Sequence, residues 1–185
     1  MAGTRRVDAI STKRVIAGVS GSPGSVRALR FAAEVAGLSG APLIPVLAWQ
    51  PPGGDMADRR CPSSYLRRIW TDAAARQLAE ALDLAFGGGP HDVEVRPAVA
   101  RGPAGPVLVG VAREPGDLLV VGAGERGPVR RWLGGRVARF CLTRAACPVI
   151  AVPESDLAAA TRGLRGWASR RSLTPEAAAL RTRTS

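Results

Sequence analysis

Hydrophobic residues along the chain fall into two kinds of pattern. Short apolar runs bounded by Gly, Pro and Ser read as strands. They are Val15-Ile16-Ala17-Gly18-Val19, Leu43 to Ala48, Val93-Glu94-Val95-Arg96, Leu118-Leu119-Val120-Val121 and Val149-Ile150-Ala151-Val152. The fourth is continuously apolar, as a strand buried on both faces requires. The third alternates with period two, which predicts a half-exposed strand. Pro45 interrupts the second and demotes it toward an edge or irregular strand, because proline has no N–H to give an interior ladder.

Between these runs the apolar spacing becomes helical. Ser22-Pro23 is a cap followed by proline at the first helical position. It starts a helix over residues 23–36 that Gly37 should stop, with Val26, Leu29, Ala33 and Ala36 recurring every three or four residues. Residues 64–86 form a longer helix closed by three glycines. Residues 104–113 form a third, weakened by Gly105, Pro106 and Gly110. Residues 136–144 form a fourth, with Val137, Cys141 and Leu142 facing inward. Strands alternating with helices predict an α/β fold with a doubly wound parallel sheet and right-handed crossovers. Such a sheet takes ligands outside the carboxyl ends of its strands, at the switch point of strand order. Here those ends are Val19-Ser20-Gly21-Ser22 and Val121-Gly122-Ala123-Gly124, both built from small residues.

Composition narrows the chemistry. The chain has 185 residues and a net charge of +11, and its single Lys, Lys13, lies outside any Gly-x-x-x-x-Gly-Lys-Ser/Thr loop, so a P-loop is excluded. The sequence has no Asn, which excludes the metal-binding Asn of a kinase catalytic loop and N-glycosylation. His91 is the one histidine, so multi-histidine metal sites are excluded and no metal site is expected. Cys61, Cys141 and Cys147 are odd in number without C-x-x-C spacing, which points to a reducing compartment. No apolar leader or membrane-length run occurs, and the expected location is the cytoplasm. Residues 1–12 read as a basic N-terminal extension, 13–154 as a single domain and 155–185 as a basic, Arg-rich tail. The first fourteen residues carry +3 and the last thirty-one +4, more than half of the excess charge. Arg pairs such as Arg59-Arg60, Arg67-Arg68 and Arg130-Arg131 would suit salt-dependent nucleic-acid binding. No sequence-reading module accompanies them, so a solvated basic surface is the preferred reading. Gly122-x-Gly124-x-x-Gly127 spells a dinucleotide fingerprint, but it follows the fourth strand, no helix opens at Gly127, and no acid follows at the needed distance.

Residues 117–127 (Asp-Leu-Leu-Val-Val-Gly-Ala-Gly-Glu-Arg-Gly), 133–137 (Leu-Gly-Gly-Arg-Val) and 146–152 (Ala-Cys-Pro-Val-Ile-Ala-Val) resemble the C-terminal half of universal stress protein domains of the UspA type. Residues 15–25 (Val-Ile-Ala-Gly-Val-Ser-Gly-Ser-Pro-Gly-Ser) look like that family's first strand and helix cap, and Ala48-Trp49-Gln50-Pro51-Pro52 like the end of its second strand. The resemblance covers about residues 13–154. It implies a five-stranded, Rossmann-like sheet of the adenine nucleotide alpha hydrolase kind, often a homodimer through the last strand. It also implies a stress-response regulator or adaptor without turnover chemistry. In the ATP-binding branch the loop after the fourth strand reads Gly-x-x-Gly, nine residues, then Gly-Ser/Thr. Gly122 and Gly135 keep that pattern, whereas Glu125 replaces the second Gly, Arg136 the hydroxyl, and Ser20 an acid in the first loop. The resemblance thus implies an ATP site in modified form, with a weakened or lost site, or one for another anion or nucleotide, as the alternatives: Glu125 sets a negative charge beside a polyphosphate, while Arg136 supplies a cation. The candidate contacts of the site are Ala17, Ser20, Ala48, Val121, Gly122, Gly135, Arg136 and Val137, with Ala48 and Val121 lining the base and Gly122, Gly135 and Arg136 facing phosphate. Slow ATP hydrolysis is the alternative from the enzyme class, and it lacks an evident base once Ser20 replaces the acid.

Overall fold

The computed structural model describes residues 12–60, 62–88, 92–124 and 135–153. The basic extension and tail, Cys61, His91, Glu125 and the Arg130-Arg131 pair lie outside the described residues. Ten elements follow one another: β1 (Arg14–Val19), α1 (Pro23–Ser39), β2 (Leu43–Trp49), α2 (Gly54–Arg60), α3 (Ser64–Phe86), β3 (Ala98–Arg101), α4 (Ala104–Val111), β4 (Asp117–Gly122), α5 (Arg136–Arg144) and β5 (Val149–Val152). All five strands pair in parallel in the order β3-β2-β1-β4-β5. The order reverses between β1 and β4, so the switch point falls at their carboxyl ends.

Strand parity divides the core. Val15, Ala17, Val19, Leu43, Leu47 and Val120 face α1 and α3, where Leu29, Ala32 and Leu78 complete one cluster. Ile16, Val46, Leu119 and Val121 face the other way, onto Leu108 of α4 and Ala138 and Cys141 of α5. Helices therefore cover both faces, as continuously apolar strands require. At the amino end of the sheet, Asp117 is 1% exposed and is held by Arg14, whose Nε and Nη2 reach its two carboxylate oxygens at 2.8 and 2.7 Å. Arg14 holds the Asp117 carboxyl below its usual range, and the Glu114 backbone N–H (2.8 Å) helps, against burial, which pushes it up.

Four expectations need correction. The third ladder strand is Ala98–Arg101 rather than Val93–Arg96. The earlier segment makes one bridge, Val95 to Leu43, before Pro97 breaks the ladder. Pro45 lies in an interior strand, between β1 and β3, and is fully buried. Parity explains its tolerance. Leu43 N–H donates to Glu94 O and Trp49 O accepts from Gly102 N–H, so odd-numbered residues of β2 bond toward β3. The missing donor of Pro45 thus points at the break between Val95 and Ala98, and the bonds to β1 are untouched. Helix α1 runs past Gly37 to Ser39. Gly40 ends it at φ 64°, a left-handed conformation natural to glycine. Finally, α2 forms between β2 and α3, where the helical spacing above places no element.

Candidate functional site

The carboxyl ends of β1 and β4 carry a compact arrangement of backbone and hydroxyl groups. Ser22 caps α1 by accepting from Ser25 N–H (3.3 Å). The buried Ser25 hydroxyl donates to Ser22 O (2.8 Å) and accepts from Ser20 N–H (3.2 Å). Ser20 Oγ hydrogen-bonds Ser22 Oγ at 3.0 Å on the exposed side, and Gln77 of α3 donates to Ser20 O at 3.2 Å. These bonds, four within the turn and one from α3, fix the start of α1 against the sheet.

Across the switch point, Gly122 ends β4 directly over the start of α1. A Cβ at Gly122 would lie 2.9 Å from Gly24 O and 3.0 Å from Gly24 C, so only glycine permits this approach. Gly124 follows at φ 84°. The chain then returns: Gly135 comes close enough that its Cβ would sit 3.8 Å from Ala123 O. Gly135 is the N-cap of α5 and makes no side-chain cap bond, and the first turn of α5 holds no acidic residue. Among the described residues nothing caps the first backbone N–H groups of α5, the kind of group that receives an anion, and the exposed Arg136 is its first residue.

The predicted contacts divide into two groups. Ser20, Gly122, Gly135 and Arg136 are brought together at the carboxyl ends of β1 and β4 and the start of α5. Ala48 is half-buried at the end of β2, one strand over, and shares the α4–α5 side of the sheet with Val121 by parity. The side chains of Ala17 and Val121 are buried in the core rather than open to the cleft. They are 0% and 2% exposed on opposite faces, because Ala17 packs under α1 while Val121 fills the space over Gly18 beside Leu108. What they bring to the cleft is backbone position. Val137 is half-buried and packs into the α4–α5 core.

Sequence reasoning missed a second cluster on the same edge of the sheet. Asp58 of α2 is buried and paired with Arg67 of α3 (3.0 Å) and Arg101 of β3 (2.7 Å). Arg67, and then Arg101, hold its carboxyl below the usual range against burial. The Arg101 guanidinium lies 6.0 Å from the Trp49 ring, and Trp49 meets Trp70 at 6.4 Å. The signal available was the row Asp58-Arg59-Arg60, which reads as solvated until Arg101 is brought to it by the β2–β3 register. Among the described residues no group of three or more His, Cys, Asp or Glu could hold a metal ion, and no helix is long and apolar enough to cross a membrane. A separate groove of about 690 Å³ lies between the later turns of α1 and α3, lined by Arg30, Leu38, Phe86 and Val93 among others.

No curated protein matches the chain. Several solved structures do. A universal stress protein in complex with cAMP is 26% identical with a TM-score of 0.50, over 78% of this chain and 98% of that one. Universal stress protein UspA from Lactobacillus plantarum is 17% identical with a TM-score of 0.57, over 76% and 97%. The hypothetical protein MJ0577 is 16% identical with a TM-score of 0.62, over 79% and 99%, and these last two speak for the fold. The sequence model of the universal stress protein family matches residues 11–153, the whole of the sheet and its helices, and the chain belongs to that family.

Proposed function

We propose that this universal stress protein is a cytoplasmic regulator that binds an adenine nucleotide across the carboxyl ends of β1 and β4 and conveys its occupancy to partners without turning it over. The observation that carries this is the convergence of Gly122, Ala123 and Gly135. Two glycines without side chains let a phosphate approach backbone N–H groups at the uncapped start of α5. The cAMP held by the 26% identical relative supports the adenine class. Arg136 takes the place of the hydroxyl found in the ATP pattern. Its planar guanidinium can grip a phosphate through two parallel bonds, so the departure changes the phosphate grip rather than removing it. Ser20, where that pattern has an acid, offers a hydroxyl and no carboxylate to hold a metal or orient water, which favours binding over hydrolysis. β5 is an edge strand, and pairing of two copies along it would give a homodimer.

Titration calorimetry of ligand-free protein with ATP, ADP, AMP and cAMP, with Mg²⁺ at moderate salt, tests the reading. Micromolar binding of at least one nucleotide is expected. Arg136→Ala should weaken it by roughly tenfold or more, the scale of a charge-assisted hydrogen bond. No binding of any of the four by folded protein overturns the proposal. Phosphate release above that of a Ser20→Ala, Arg136→Ala double variant overturns the part that denies turnover.

A further inference from the structure

Helix α2 is anchored in an unusual way. Of its described side chains, Met56 is 64% exposed, Arg59 and Arg60 are exposed, and Asp58 alone is buried. Short helices are ordinarily seated by apolar side chains. This one inserts a carboxylate, and its two ion pairs reach different elements: Arg67 at 3.0 Å on α3 and Arg101 at 2.7 Å on β3. A contact of this kind is strong when both partners are present and is badly weakened when one is lost, because the remaining buried charge is left without its partner.

Its position gives it consequence. α2 leaves the carboxyl end of β2 through Gln50-Pro51-Pro52-Gly53, with Gly53 and Gly54 at φ 79° and 75°. Gly54 N–H closes this turn on Pro51 O at 2.8 Å, and the turn lies just beyond Ala48 and Trp49, on the carboxyl rim of the sheet.

We propose that Asp58 is an electrostatic latch: by pairing with Arg67 and Arg101 it seats α2 as a flap on the carboxyl rim, and its release sets how fast nucleotide exchanges at the cleft. Asp58 acts here as a positioning residue, through α2. The exchange half of the proposal rests on the cleft being a nucleotide site. The latch half does not.

The test uses the full chain and two readouts. The first is limited trypsin digestion with fragments assigned by mass. Arg59 and Arg60 lie in the last turn of α2, and the rate of cleavage after them reports its local opening. Arg27 and Arg30 lie on α1, whose Arg30 is tied to the carbonyls of Leu84 and Ala85, and report global opening. Asp58→Asn should speed cleavage after Arg59 and Arg60 by roughly tenfold or more, with cleavage after Arg27 and Arg30 unchanged. Arg67→Gln should give a smaller rise in the same places. The second readout is the dissociation rate of a fluorescent ATP analogue, which Asp58→Asn should raise severalfold. Unchanged cleavage on α2, or an equal rise on α1, overturns the latch. Faster cleavage with unchanged dissociation overturns the gate. If the wild-type chain binds no nucleotide, the cleft reading and the gate fail together, and the digestion still decides the latch.

Discussion

Gly122→Ala puts one methyl group into the tightest backbone approach at the site. Its Cβ would stand 2.9 Å from Gly24 O, 3.0 Å from Gly24 C and 3.4 Å from Ser25 N. All three are backbone atoms at the start of α1, so no rotamer change relieves the contact. The segment itself is locked by the Ser20, Ser22 and Ser25 bonds. Gly122 is absent from the glycines with positive φ, so the substitution carries no dihedral strain and the contact alone is tested. Overpacking of this kind costs about 1–3 kcal/mol. Removing a strand glycine returns up to about 1 kcal/mol through the unfolded chain. The net expectation is a loss of about 1–2 kcal/mol, or about 2–8 °C in Tm for a domain of this size. Gly24→Ala is the control. It lies in the first turn of α1 with nothing within 4 Å of its Cβ, and it should leave Tm unchanged or slightly raised. Thermal unfolding followed by circular dichroism is the assay. A Gly122→Ala protein as stable as wild type would refute the claim that β4 and α1 meet through glycine alone.

Three further outcomes follow from the same structure. Arg14→Met strands the buried Asp117 carboxylate. The cost should be about 2–3 kcal/mol by denaturant titration, below the full buried-pair value because the Arg14 side chain is 23% exposed. Asp117 is held below its ordinary range, so its contribution is present above that range and fades as pH falls through the lowered value. The gap between wild type and Arg14→Met should therefore close in acid and be full at neutral pH. Gly105→Ala drives a methyl to 2.7 Å from Phe140 Cδ1, separating α4 from α5, and should lower Tm by several degrees. A smaller residue at 140, as in Phe140→Leu, should restore part of the loss. Pro45→Ala should cost less than about 1.5 kcal/mol, since the regained N–H faces the ladder break. A cost like that of a disrupted interior strand would contradict the parity assigned to β2.

The elements were legible where one physical signal dominated. The apolar runs at β1, β4 and β5 and the Ser22-Pro23 start of α1 stand in the structure as the pattern implies. β3 misled because alternation in Val93-Glu94-Val95-Arg96 was genuine, yet Pro97 shifted the ladder to the weaker-looking Ala98–Arg101. Pro45 misled because a missing donor matters only on the side to which the residue points, and parity is set by neighbouring strands. Gly37 read as a helix stop and Gly105 as a helix weakness. The first is tolerated inside α1, and the second is the seat of Phe140. In the site, Ser20, Gly122, Gly135, Arg136, Ala17 and Val121 all entered through the family resemblance, and strand parity buries the Ala17 and Val121 side chains on opposite faces of the sheet. The Asp58 cluster was illegible because its partners lie 9 and 43 residues away and only folding brings them together.

The central claim is that nucleotide binds at the carboxyl ends of β1 and β4. Amide resonances of labelled protein titrated with ATP test it most directly. Saturable shifts are predicted at Ser20, Gly122, Ala123, Gly135 and Arg136, with Leu38 and Val93 in the separate groove unmoved. Shifts confined to that groove, or none at all in a folded protein, would contradict the account.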